Sequence, residues 1–146
     1  MKNFMGEVAV LFSYPKNIIL LMARLTIAYG FSNPALLKVN YLPETISWFD
    51  GMSIPFPVLS AYLVSTIETM GAILLVLGLF TRYISILLSF VMLGAIGFVH
   101  ISYGFLAADN GFEIPFYYLL FLLLFVSHGA GKYSLDNALF KDGHDE

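Results

Sequence analysis

An all-α fold, a bundle of four transmembrane helices with both termini in the cytoplasm, is what three observations on this sequence predict. Of its 146 residues, 59% are hydrophobic and only 12% charged, against about 25% charged in soluble domains. Four apolar stretches come close to the ~20 residues that cross a hydrocarbon core of roughly 30 Å as helix. Lys2, Lys16, Arg82, Lys132 and Lys141 then share one side of the bundle, against Lys38 alone on the other. The positive-inside rule assigns the richer side to the cytoplasm.

Composition also excludes several functions. The formal net charge is −3 with no basic run, so nucleic acid is not a partner. Cysteine is absent, which excludes disulfides, thiolate nucleophiles, iron–sulfur clusters and CxxC chemistry. The first apolar stretch is too long for a signal-peptide core and lacks an A-x-A site, so it reads as a retained helix.

The chain divides into an arm (1–16), a membrane bundle (17–131) and a tail (132–146). In the arm, Phe4, Val8, Leu11 and Phe12 fall at near-helical spacing, so an interfacial amphipathic helix stands beside an irregular arm as a reading. The first span covers 17–39 and is the most polar, with Pro34 predicting a kink. The segment 40–57 is the longest loop, with Tyr41, Trp48, Phe49 and Phe56 suited to the interface and a short helix near 44–49 after Pro43. The second span, 58–80, ends in the tight turn Gly78-Leu79-Phe80-Thr81-Arg82. The third, 83–103, carries small residues that let helices approach closely, and His100 near its end. The fourth runs about 115–130 with His128. Its first turns, with Phe112, Phe116, Tyr117 and Tyr118, read as an outer aromatic belt.

Glu68 lies near the centre of the second span, where a carboxylate costs on the order of 2.5–3.5 kcal/mol. It requires a partner, a proton or water. At 1.5 Å per residue, Arg24 sits ~10 Å, Glu68 ~14–15 Å and His128 ~8–12 Å above the cytoplasmic boundary. Arg24, Glu68 and His128 therefore form a candidate ligand-binding or proton-relay group. The plain alternative is that Arg24 and Glu68 are a buried ion pair stapling two helices. A second, outer group comprises Asn33, Lys38, His100, Asp109 and Glu113, for which snorkelling at the interface is the simpler reading. His128 alone reads as a helix-end hydrogen bonder. His100 and His128 differ in depth by ~13–17 Å, so no haem is ligated by both, and no metal-binding, phosphate-loop or nucleophile–base pattern is present.

The arrangement Arg24-Leu25-x4-Gly30-x7-Lys38-Val39, then Ile67-Glu68-x2-Gly71-x3-Leu75-x2-Gly78-Leu79-x2-Arg82, then His100, then Gly129-x-Gly131-x-Tyr133-Ser134-Leu135-Asp136, resembles the DoxX family of small membrane proteins. The resemblance covers about residues 20–136. It implies a four-helix membrane bundle, in which Arg24, Lys38, Glu68, Arg82 and His100 match the family's recurrent polar places. Some members are described as subunits of quinone-linked oxidoreductases, and another as an anchor for soluble enzymes. Ser32-Asn33-Pro34 departs from the His-Gly pair that many members carry near the lysine.

Two functions follow as expectations. The first is a multi-pass subunit of the cell membrane, not catalytic by itself, that contacts lipid, docks a redox protein at its cytoplasmic face and has no intrinsic cofactor. It would hold a quinone or lipid headgroup near Arg24, Glu68 and His128. If part of an enzyme, it is a subunit of a quinone-linked oxidoreductase, since the chain lacks the groups for two-electron sulfur chemistry. The alternative is a small proton-coupled transporter or channel acting as a homo-oligomer, although its halves show none of the internal similarity of inverted-repeat transporters.

Overall fold

The computed structural model describes residues 2–140. Lys141 and the rest of the charged tail end lie outside the described residues. The described residues form seven α-helices: α1 Lys2–Ser13, α2 Lys16–Asn40, α3 Leu42–Gly51, α4 Pro57–Leu77, α5 Thr81–Gly94, α6 Glu113–His128 and α7 Leu135–Phe140. The path of α5 continues as a π-helix over Ala95–His100 and a 3-10 turn over Ile101–Tyr103.

Hydropathy assigns the helices and local chemistry ends them. Pro57 starts α4, where a missing N–H costs nothing, and Gly78 ends it in the left-handed conformation at φ +66°. Among the described residues three helical stretches are long and apolar enough to cross a membrane: the one containing α2, α4, and α5 with its continuation. Helix α6 is equally apolar but has 16 residues, or ~24 Å of helix. The arm is helical, the segment after α2 is mostly the helix α3 rather than loop, and α2 runs on as helix through Pro34.

Helices α2, α4, α5 and α6 form a closed ring, each packed on the next, with α3 laid against α4 and the end of α2. Their inward faces bury Leu20, Ile27, Phe31, Leu75, Leu88 and Phe125 in one core. The outward faces are also apolar, with Ile18, Met22, Ile73, Phe90, Leu93 and Leu123 all exposed. A soluble protein rarely leaves so much contiguous apolar surface bare. On these helices it is surface for lipid.

The turn between α4 and α5 is held by the segment after α6. The Asp136 carboxylate accepts from the backbone N–H of Phe80 (2.7 Å) and Thr81 (2.9 Å), while the Asp136 N–H donates to the Gly78 carbonyl (2.9 Å). Phe80 is left-handed at φ +50°, a conformation costing a non-glycine residue roughly 1–2 kcal/mol, and Asp136 offsets part of that cost. A carboxylate at the start of α5 satisfies orphan N–H groups and opposes the helix dipole. Asp136→Ala is therefore expected to destabilise the bundle by about 0.5–2 kcal/mol. Thermal unfolding in detergent measures this, with exposed Lys132→Ala as the near-neutral control.

Candidate functional site

The ionisable groups of the bundle settle at two levels. At one end, Arg24 of α2 is 1% exposed. Its Nη1 donates to the Ala130 carbonyl (2.6 Å) and its Nη2 to the Tyr133 carbonyl (2.8 Å). Its Nε has no hydrogen-bond partner among the described residues. Asp136 lies close enough to add Coulombic attraction. Gly78 makes the space: a Cβ there would lie 2.6 Å from Arg24 Nη1 and from the Ser134 Cβ. Arg24 thus binds the chain after α6 onto the ends of α2 and α4.

Glu68 does not meet Arg24. The predicted pairing is corrected: Glu68 Oε2 accepts from Lys38 Nζ at 2.7 Å, with side-chain exposures of 4% and 19%. It is the one ion pair among the described residues. The reason lies in helix register. Glu68 is ten residues before Gly78, so it lies ~15 Å from the Arg24 level, whereas Lys38 is ~21 Å from Arg24 along α2. The remaining ~6 Å is spanned by the flexible four-carbon lysine stem. Arg24, pointing to the other end, finds carbonyls instead.

The Lys38–Glu68 pair sits on the wall of a cavity of about 490 Å³ within that half of the bundle. Such a volume falls in the range of small-molecule sites, roughly 300–1,000 Å³. Every element of the ring contributes. Phe31 and Pro34 come from α2, Val64 from α4, and Tyr118 from α6, while α3 adds Trp48 and Phe49. The π-helix contributes Ala95, Phe98, Val99 and His100. The extra residue per turn of a π-helix displaces side chains from the α-helical register, a distortion frequent at functional sites. Tyr118 packs on Phe31 with ring centroids 5.4 Å apart. Its hydroxyl lies where a Cβ on Gly30 would be, so glycine at 30 admits the phenol.

The other predicted site residues are dispersed. His128 is exposed and stands far along the chain path from Glu68, beside Lys16 and Arg82 at the Arg24 end. Of the outer group, Lys38 and His100 line the cavity. His100 Nδ1 is 2.8 Å from the Asn110 carbonyl. Glu113 accepts from the Ala107 N–H (2.8 Å) and the Tyr117 hydroxyl (3.0 Å), closing its own loop. Asn33 and Asp109 are exposed. No group of three or more His, Cys, Asp or Glu gathers among the described residues to hold a metal. Trp48, Phe49 and Tyr118 read as interfacial aromatics in sequence, yet they line the cavity. Spacing alone carries no signal for that, because it depends on α3 folding back over α4.

Fold and site together define a multi-pass helical membrane protein with a polar pair inside an apolar cavity. The DoxX family profile matches residues 19–101, and the chain belongs to that family. An uncharacterized protein of Haemophilus influenzae is 36% identical over 121 residues, covering 81% of this chain and 88% of its own. A second uncharacterized protein of the same organism is 30% identical over 130 residues, with coverages of 84% and 83%. The inner membrane protein YphA of Escherichia coli is 31% identical over 83 residues, 57% of this chain and 59% of its own. No solved structure matches the chain significantly.

A buried ion pair is costly to break and cheap to replace whole. Glu68→Leu or Lys38→Met alone should each destabilise by about 3–5 kcal/mol, and the double variant should recover most of that loss. Unfolding in detergent reports both. The charge swap Arg24→Glu with Glu68→Arg should rescue nothing, because the two side chains do not touch.

Proposed function

We propose that this protein is a membrane-embedded binding subunit whose cavity takes a lipophilic ring molecule with polar oxygens, of the quinone class. The observation that carries the reading is the Lys38–Glu68 pair on the wall of an otherwise apolar and aromatic cavity. An apolar pocket with few convergent polar groups is the usual form of a small-molecule site. Lys38 Nζ has three N–H donors and commits one to Glu68. Another can donate to a quinone carbonyl. Glu68 Oε1 is free to accept from the hydroxyl of the reduced form, so the pair suits both states of such a ligand. The aromatic rings of Phe31, Trp48 and Tyr118 offer faces on which a quinone ring would stack.

In this reading α6 is the fourth span, the Arg24 end faces the cytoplasm, and the membrane is the inner one. The positive-inside count and the name of the Escherichia coli relative, an inner membrane protein, support that placement. With no cysteine in the chain, electrons reaching a bound quinone would come from a partner redox protein.

Trp48 is the sole tryptophan and lines the cavity, so its emission reports occupancy directly. A short-chain benzoquinone titrated into protein in nanodiscs should quench Trp48 saturably. Val64→Phe, which fills the cavity, and the folded double variant Lys38→Met with Glu68→Leu should each weaken binding about tenfold or more, one polar contact being worth roughly 1.5–3 kcal/mol. Unchanged saturable quenching in both variants would refute the site.

A further inference from the structure

A second recess, of about 200 Å³, opens at the Arg24 end between the start of α2, the α4–α5 turn and the chain after α6. Its rim carries Lys16, Arg82 and His128, and its floor includes Leu20 and Ala130. Lys16 and Arg82 are exposed and form no salt bridge among the described residues. Asn17 also lines the recess. Its Oδ1 is taken by the Lys132 N–H at 2.9 Å, which leaves its amide NH2 as a donor. Among the described residues Asp136 is the one carboxylate that lines it, and both its oxygens are engaged by the Phe80 and Thr81 N–H groups. Its charge is opposed by neighbouring Arg24. What remains to the recess is a surplus of hydrogen-bond donors and positive charge.

We propose that this recess binds a phosphate-bearing anion, and specifically the phosphate of an anionic phospholipid headgroup. Basic pockets between membrane helices bind such headgroups, each cation near the surface adding a measurable increment of affinity. Exposed Ile18 and Ile19 of α2 and Leu135 and Leu139 of α7 flank the recess in sequence. They supply apolar surface for the acyl chains of a lipid whose headgroup is held above Leu20. The binding gives His128 a role that needs neither Glu68 nor the quinone reading. It also ties lipid to the clamp formed by Arg24 and Asp136, so a bound headgroup would join α2, α5 and the segment after α6.

The test uses the full chain in nanodiscs. Native mass spectrometry of protein in mixed phosphatidylcholine and phosphatidylglycerol should show preferential retention of phosphatidylglycerol. Lys16→Gln with Arg82→Gln should reduce that preference about tenfold, and exposed Lys16→Gln alone by about threefold or more. Lys132→Gln, at the same end but outside the recess, should leave it unchanged. Trp48 emission identical to the parent confirms that each variant is folded. A parallel arm adds inorganic phosphate to protein in phosphatidylcholine alone, at ionic strength matched with chloride. Stabilisation there, lost with Lys16→Gln, would assign the same site to free phosphate. Equal loss in Lys132→Gln, or no preference for either probe, would overturn the proposal.

Discussion

Burying charge in a low-dielectric bundle is the constraint on which this structure depends. An ionised side chain in hydrocarbon must be matched locally, because no water is available to solvate it. Glu68, Arg24 and Asp136 meet that demand in different ways. Glu68 takes the Lys38 ammonium, Arg24 takes two backbone carbonyls, and Asp136 takes two backbone N–H groups. Each match also joins elements distant in sequence. The pairings that make the charges tolerable are therefore the ones that register the helices.

The two ends of the bundle differ as a consequence. At the Arg24 end the chain after α6 is drawn over the helix ends, and Gly78 lets it approach the guanidinium closely. That end is packed and hydrogen bonded. At the Lys38 end the helices line the cavity, and the π-helix over Ala95–His100 forms part of its wall. The same four helices thus carry a hydrogen-bonded end and a cavity-lined end.

Several of the residues that carry the family resemblance fall on the clamp. Arg24, Gly78, Ser134 and Asp136 gather there from three separate stretches of chain. Lys38, Glu68 and His100 fall on the cavity instead. The first set holds one end of this bundle together. The second set is where a ligand would be met.

The helices and their membrane character were legible in the sequence because hydropathy and helix length are local quantities. The turn at Gly78 was legible too, since glycine marks a left-handed helix end whatever surrounds it. Glu68's need for a partner could be read from its depth, but the partner could not. Arg24 and Lys38 lie on nearly the same face of α2, and only the register of α4 against α2 decides between them. Tertiary structure decided for Lys38, through a few ångströms of side-chain reach. It also created the cavity, because Trp48, Phe49 and Tyr118 line it only once α3 folds across α4 and α6 closes the ring. Sequence by itself determined which segments seek lipid and which charges need matching. Which charge meets which, and where space remains, is set by contacts between helices that no local pattern encodes.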